Sequence, residues 1–516
     1  MAVCRLAAKE GGSNMTLGQM LEATAQRLPR KCAIKFSGRK ISYRELNESV
    51  NKISYNLLSL GLKKGDRVGI FSENCPEYIM SYFGALKIGG IAVPINSFLT
   101  GAEVKFIVDN CQIQILITSS KFLKTLQPVL SQMPSIKKFI VIGEESDTAE
   151  YLSFATFLKN EKTNPPESSV SEDDLAVFIY TSGTTGHPKG AMLSHRNLVC
   201  NARDSTTATD FRERDKILVF LPLFHSFTFT VGVLTPLSLG STILLLGSVK
   251  SMNEIRHAIL FDRVSLFVGV PAVFNVLANK QFPWFFKYIH AIGLMVSGSA
   301  PLPTPVIGQI EQKFGCPLCE GYGLSEASPV VAVNPRYGVR KPGSIGLPLP
   351  NVEVKILDEH RKELPIGDVG ELAVKGPNVM QGYFNMPEET AKTIVDGWLL
   401  TGDIAKLDQD GYIYIVDRKK DMLLVRGVNV YPREIEDVLY QHPKILECAV
   451  IGVPDESKGE IPKAFIVVKE GETLTEREVR DHIKERLAAY KHPKYIEFRP
   501  SLPKNATQKI MKRELR

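Results

Sequence analysis

The chain has 516 residues, more than one hydrophobic core supports, so two or more domains are expected. Hydrophobic residues at 44% and charged residues at 23% are ordinary for a soluble globular protein. A net charge of +7 is mild for this length, and the basic end lacks interleaved aromatics, which argues against nucleic-acid binding.

Eight cysteines are scattered without a disulfide framework, which points to a reducing compartment. The pair Cys316-Pro-Leu-Cys319 has redox or zinc spacing, but no second pair or histidine cluster completes a metal site. Two ordinary thiols are expected there. The opening "MAVCRLAAKEGG" has no sustained apolar segment, so no secretory signal is expected.

In chain order, "YRELNESVNKISYNLLSLG" reads as an amphipathic helix stopped by Gly61. "DRVGIFS" reads as a buried strand, "PEYIMSYFGALKIGG" as a second helix and "IAVPIN" as a further strand. "EVKFIVDN" and "IQILITSS" repeat the theme. Such alternation predicts parallel-sheet α/β architecture. The polar stretch "EKTNPPESSVSEDD" then separates this region from "YTSGTTGHPKGAMLSH".

Within the eleven residues from Tyr180 to Gly190 lie three glycines, five hydroxyl side chains and one lysine. Glycines let backbone N–H groups turn inward, hydroxyls add neutral donors, and lysine supplies charge, a composition suited to phosphates. The spacing is not that of a Walker loop, because Lys189 is followed by Gly190 rather than Ser or Thr. "LAVFIY" before the loop and "GAMLS" after it read as extended, with the next helix starting near Ser194. The loop is therefore expected to join two strands and to lack a helix dipole.

From Ile217 to Val249 there are thirty-three residues without Lys, Arg, Asp or Glu, long enough to cross a bilayer. Pro222, His225, Pro236 and the Ser/Thr content break helix continuity, so buried elements lining a pocket are expected instead. Past residue 340, "NVEVKI" and "GELAVKG" alternate as half-buried antiparallel strands. From about Asp421 a small α+β unit is expected, with strands at "CAVIGV" and "KAFIVV". Its helix begins at the capping box Thr475-Glu-Arg-Glu478 and carries Val479, Ile483 and Leu487 on one face. The segment from Lys491 to Arg516 holds eight Lys or Arg against two Glu and reads as a solvated basic face.

Four more patches complete the reading: "SGSAPLP" (297–303), "EGYGLSEASP" (320–329), "GWLLTGDIAKLDQDGYIYIVDRKKDMLLVRGVNVYPREIE" (397–436) and "PKNATQKIMKREL" (503–515). With the phosphate-type loop, in this order, they resemble the adenylate-forming superfamily of acyl-CoA synthetases, luciferases and peptide-synthetase adenylation domains. "EGYGLSEASP" and "VDRKKDM…NVYPREIE" look most like bacterial long- and medium-chain fatty acid–CoA ligases.

The resemblance implies an α/β fold with a large N-terminal domain, residues 1–419, made of α/β subdomains plus a small β-barrel-like region. A hinge at about Lys420 would join it to a small mobile α+β domain, residues 420–516. It implies ATP-dependent activation of a fatty acid to acyl-AMP with release of pyrophosphate, then transfer of the acyl group to CoA. ATP and CoA would be cosubstrates and Mg²⁺ the metal. Thr181, Ser182, Gly183, Thr184, Thr185, Gly186 and Lys189 would hold the departing β- and γ-phosphates. Gly298, Ser299 and Ala300 would pass along the adenine and Tyr322, between Gly321 and Gly323, would stack on it. Asp403 and Arg418 would bind the ribose, Ser325 would donate to phosphate, and Glu326 would carry Mg²⁺.

Lys509 would offset the repulsion between the attacking carboxylate and the phosphate. Gln508 replaces the glycine usual before it. For the second step the small lobe would rotate about Lys420, withdraw Lys509 and present Gly427 to the pantetheine arm, with Arg426 beside it. His225 would sit at the mouth of an acyl pocket that "VGVPAVFNVLAN" (268–279) helps to build. A protein carrier as thiol acceptor and an aryl or other carboxylate as substrate stay open as alternatives, whereas the presence of Lys189, Glu326, Asp403, Arg418 and Lys509 argues against a degenerate binding protein. The sequence admits a homodimer, and a cytoplasmic location with peripheral contact at the inner membrane face.

Overall fold

The computed structural model describes residues 15–181, 188–247, 252–425, 428–455, 459–505 and 509–515. The chain forms two compact units, each assembled from separate stretches. Unit one takes residues up to Val268 together with Gly323–Val330 and Gly376–Lys392. Unit two takes Gly269–Tyr322, Val331–Lys375 and Thr393–Arg516. The expected boundary at Lys420 lies inside the last of these stretches.

Unit one contains the expected α/β alternation. Helix Tyr43–Ser59 is capped by Ser42, whose hydroxyl accepts from the Glu45 N–H, and buries Leu46, Val50, Ile53 and Leu57. Helix Pro76–Lys87 is buried at every position except the half-buried Glu77, as its largely apolar sequence requires. The two helices approach closely at Gly84, where a Cβ would stand 2.5 Å from the Ile53 side chain. Strands Arg67–Phe71, Ile91–Pro94 and Ile113–Ser119 are mutually parallel in an eight-stranded sheet. Leu175–Thr181 lies beside Ile91–Pro94 in parallel and pairs antiparallel with Lys189–Ser194, so the phosphate-type loop does join two strands. Ser194 then caps helix His195–Thr209 with a full capping box to Asn197.

The uncharged stretch resolves into strand Lys216–Val219, a helical run from Ser226 to Leu239 and strand Thr242–Leu245. Its side chains are almost all buried. Among the described residues no helix is long and apolar enough to cross a membrane.

Unit two holds the antiparallel strands that the alternating patterns past residue 340 predicted, and after them the expected small α+β unit, whose sheet is mixed because Tyr495–Phe498 pairs in parallel. Glu353–Leu357 pairs with Gly370–Lys375, which pairs with Trp398–Leu407, which pairs in turn with Ile413–Arg418. A second sheet carries strands Leu423–Val425, Val428–Val430, Ile445–Asp455, Gly459–Val468 and Tyr495–Phe498. Helices Pro432–Tyr440 and Glu476–Lys484 contribute Ile435, Leu439, Val479 and Ile483 to its buried core.

The capping box at Thr475 and Glu478 is formed as expected. That helix ends at Lys484, so Leu487 lies past its end, yet it still packs against the same core. The basic end is not simply a solvated face. Lys491, Lys494, Arg499 and Lys512 pair with Glu434, Asp455, Glu497 and Glu436 at 2.6–2.9 Å. Three of these acids, Glu434, Asp455 and Glu436, lie outside the segment, so its cation excess is partly neutralised from elsewhere in the chain. Cys316 and Cys319 are free and buried, and burial pushes both thiols up to about 12, as ordinary core thiols behave.

Candidate active site

In unit one the antiparallel pair of strands places Thr181 opposite Lys189. Ser182, Gly183, Thr184, Thr185 and Gly186 lie outside the described residues. Lys189 is buried, with its Nζ 2.7 Å from Glu389 Oε2 and 5.3 Å from the centre of the Tyr383 ring. Hydrogen bonds from Lys189 and Lys392 hold the Glu389 carboxyl below the usual range.

Tyr383 reaches this position because the short strand Gly382–Tyr383 pairs with Ala191 and Met192, just beyond Lys189. Its hydroxyl donates to Glu326 Oε1 at 2.8 Å. One tyrosine therefore lies under the lysine ammonium and also orients the glutamate.

Glu326 stands in the short turn Ser325–Ala327. A Cβ at Gly323, just before that turn, would fall 2.2 Å from the Pro329 carbonyl oxygen, so only glycine fits there. Ser325 Oγ lies 3.3 Å from Ser226 Oγ, next in chain to His225. The imidazole Nδ1 of His225 accepts from the Phe227 N–H at 3.3 Å and caps the helix that follows. Thr181, Lys189, His225, Ser325 and Glu326 all belong to unit one, and the contacts draw Lys189 to Glu326 and the His225 turn to Ser325.

No group of three or more His, Cys, Asp or Glu side chains converges as a metal cage among the described residues. A lone carboxylate steadied by a phenol suits Mg²⁺ nonetheless. That ion keeps several waters and is commonly bound through one or two carboxylates plus substrate phosphates. Glu326 is the residue that would hold it, and bound there the ion would neutralise phosphate charge.

Unit two brings together the other predicted residues. Asp403 on Trp398–Leu407 stands directly across the ladder from Arg418 on Ile413–Arg418. Asp403 Oδ1 lies 3.4 Å from Arg418 Nε, and Asp403 Oδ2 accepts from the Tyr322 hydroxyl. Burial, then the Asp403 charge, pushes the Tyr322 phenol well up. Gly321 and Tyr322 lie near the end of strand Leu318–Gly323. Gly298, Ser299 and Ala300 follow strand Leu294–Ser297. Ser299 has φ +71°, and its buried hydroxyl has no partner among the described residues. A strained residue carrying an unsatisfied buried donor is what a polar ligand would relieve.

Lys509 is tied in place by its backbone. Its N–H donates to Asn505 Oδ1 at 2.9 Å and its carbonyl accepts from the Asn505 N–H at 2.9 Å. Burial lowers its ammonium to about 8, the Arg418 charge acts in the same direction, and the Asp403 charge opposes both. The lysine thus lies within electrostatic reach of the Asp403–Arg418 pair. Lys420 sits in the exposed turn after Arg418, where the Asp421 and Met422 N–H groups both donate to the Arg418 carbonyl. Arg426, Gly427 and Gln508 lie outside the described residues.

The predicted charged residues thus fall into two sets, Lys189 and Glu326 in unit one and Asp403, Arg418 and Lys509 in unit two. Tyr383 and Glu389 accompany the first set and were not anticipated. They lie in "GYFNMPEET", nearly two hundred residues from Lys189, and the signal was an acidic pair opening a short helix just after a buried tyrosine.

Two family models match the chain. A model of the AMP-binding enzyme family matches residues 21–384, and one of the AMP-binding enzyme C-terminal domain matches residues 434–509. The chain belongs to the AMP-binding enzyme family.

It is 38% identical over 532 aligned positions to a long-chain-fatty-acid–CoA ligase of Bacillus subtilis strain 168, covering 97% of this chain and 94% of that protein. It is 34% identical to a feruloyl-CoA synthase of an Amycolatopsis species, covering 98% of this chain and 99% of the relative. Among solved structures, an anthranilate CoA ligase in complex with anthranoyl-AMP superposes with a TM-score of 0.90 at 30% identity. That match covers 97% of this chain and 96% of the other. The resemblance read from the five sequence patches is thus supported along nearly the whole length.

Proposed function

We propose that this AMP-binding enzyme is an ATP- and Mg²⁺-dependent fatty acid–CoA ligase. It joins the acid to the α-phosphate of ATP, expels pyrophosphate, and passes the acyl group from AMP to the CoA thiol. The observation that carries the reading is Lys509, backbone-latched to Asn505 and within electrostatic reach of both Asp403 and Arg418. A cation held beside a ribose-binding carboxylate is where the approach of two anions needs to be offset, and losing one such contact commonly costs about 10²–10³ in rate.

In this reading Lys189, together with Thr181 and residues 182–186, holds the phosphates that leave as pyrophosphate. Glu326 is the residue for Mg²⁺ and Ser325 donates to phosphate. Gly298, Ser299, Ala300, Gly321, Tyr322 and Gly323 receive the adenine, and Asp403 and Arg418 receive the ribose. His225 guards the acyl entrance, with the uncharged buried helical run behind it suited to an alkyl chain at about 0.8 kcal/mol per buried CH₂. Residues 420–516 move as a lobe about Lys420 between the two half-reactions, and Gly427 then admits the pantetheine arm. The named substrates of the Bacillus and Amycolatopsis relatives divide the acid between fatty and aryl classes, and the uncharged, mostly apolar character of the 217–249 stretch favours the fatty acid. A cytoplasmic location with peripheral contact at the inner membrane face belongs to the same reading, since such acids partition into lipid.

The test is pyrophosphate release from purified protein with ATP, Mg²⁺ and a panel of fatty and aryl acids, with and without CoA. Sustained release only with CoA and a fatty acid, with acyl-CoA accumulating, is expected. A single burst that CoA does not prolong refutes CoA as acceptor and points to a carrier protein. Preference for aryl acids refutes the substrate class.

A further inference from the structure

Unit two carries an exposed aromatic patch that the catalytic reading does not use. After helix Pro271–Asn279 runs the sequence "KQFPWFFKYI", which ends in the short helix Phe286–Ile289. Trp284 is 81% exposed and Tyr288 69%, and Phe285 and Ile289 are exposed beside them. The three aromatic rings form one cluster, with Trp284 6.0 Å from Phe285 and 6.4 Å from Tyr288 between centroids, both edge-on.

The cluster is not a frayed loop. Beneath it Phe282 stacks on Phe286 at 4.7 Å, and both rings pack edge-on against Phe314 at 5.3 and 5.5 Å. Lys313 further ties the segment down through a 2.8 Å hydrogen bond to the Lys280 carbonyl. Four large apolar side chains are thus held outward on a packed base. Apolar groups so displayed on a soluble protein mark an interaction surface.

Along the chain the segment that carries the patch has charge of one sign, and Glu311, on the helix that supplies Phe314, is paired with Arg340 at 3.2 Å. From residue 263 to residue 310 the chain contains no Asp or Glu, while Lys280 and Lys287 are exposed at the patch. The Lys287 ammonium lies 5.0 Å from the Tyr288 ring centre. Tryptophan and tyrosine with an apolar body and a polar tip, flanked by lysines that can reach outward, are the side chains that settle at a lipid–water boundary. The lysines add attraction to anionic headgroups.

We propose that Trp284, Phe285, Tyr288 and Ile289, with Lys280 and Lys287, form a docking surface for an anionic lipid bilayer. The purpose of docking, collection of a lipid-borne acid, rests on the ligase reading above, whereas the docking itself does not.

Trp284 supplies its own reporter, because the chain has only two tryptophans and Trp398→Phe leaves it alone. With the full-length Trp398→Phe protein, vesicles of equal phosphatidylcholine and phosphatidylglycerol are expected to shift the emission to the blue. Brominated phosphatidylcholine in those vesicles is expected to quench it, and pure phosphatidylcholine to act more weakly. Unchanged emission with the mixed vesicles overturns the proposal. In the otherwise native chain, Trp284→Ser with Tyr288→Ser is expected to weaken co-sedimentation with the mixed vesicles about tenfold or more. Acyl-CoA formation from a short, water-soluble acid is expected to stay unchanged, which shows that the variant is folded. Retained vesicle binding in the double variant overturns the proposal. So does a sedimentation-velocity result in which the double variant changes only self-association, since the patch is then an interface between copies. Vesicle binding that depends on the patch in a protein without ligase activity refutes the ligase reading and leaves the docking surface standing.

Discussion

If Lys509 acts as a cation, adenylation should fail when its ammonium loses the proton. Burial brings that group from 10.5 down to about 8, so about nine-tenths of the free enzyme carries the charge at pH 7 and about one-tenth at pH 9. The lowered value means the charged form is lost earlier than in an exposed lysine, and activity is lost as pH rises through 8. The first half-reaction isolates the effect, because the CoA thiol, which titrates nearby, takes no part in it. The assay is ATP–pyrophosphate exchange driven by a fatty acid without CoA, read as kcat/KM for ATP across pH 6.5–10, since that parameter reports the free enzyme. Wild type is expected to fall about tenfold per pH unit above 8.

Lys509→Arg keeps its charge throughout and is expected to lose this alkaline limb while retaining some activity. Lys509→Ala is expected to be about 10²–10³ slower with no limb. The same Ala variant, given acyl-AMP and CoA, should still form thioester. An alkaline limb that survives unchanged in Lys509→Ala assigns the titration to another group and refutes the reasoning, as does equal loss of both half-reactions.

Three further outcomes test other parts of the site. Lys420→Pro is expected to spare exchange and impair thioester formation in single-turnover assays, because proline removes the rotation that a hinge needs. Unimpaired transfer to CoA removes the hinge assignment. Glu389→Gln weakens the 2.7 Å pair that holds the Lys189 ammonium and is expected to lower kcat/KM for ATP about tenfold to a hundredfold with an unchanged melting temperature. Equal or better use of ATP would mean that Glu389 only competes with phosphate. Gly323→Ala forces a Cβ to within 2.2 Å of the Pro329 carbonyl, so the melting temperature should drop as roughly 1–3 kcal/mol of overpacking is imposed. No change in a thermal melt removes the claim that this turn needs glycine.

Much of this protein was legible in its sequence because local chemistry and periodicity carry it. Polar caps at Ser42, Ser194 and Thr475 mark helix starts wherever the chain has few other ways to satisfy the first N–H groups. Alternation at Glu353–Leu357 and Gly370–Lys375 marks strands with one face buried. The motif lysines, acids and glycines could be named because their order along the chain is itself the signal. What could not be read is what depends on distant segments meeting. Nothing near Lys189 in the chain announces Glu389 or Tyr383, which arrive only when Gly382–Tyr383 pairs with the strand after the phosphate-type loop. The ion pairs of the basic end were equally hidden, since a lysine in a segment with few acids looks solvated until Glu434 or Asp455 is folded against it. Whether the apolar residues at 284–289 lie inside or outside is not decided in one dimension, and only their placement outside a Phe282–Phe286–Phe314 base made them a surface. The sequence by itself determined the elements, the motif residues and the class of chemistry, all encoded over a few turns of chain. The tertiary structure decided which charges meet, how far each proton affinity is moved and which apolar groups stay in water, because Coulombic contact and desolvation act through space.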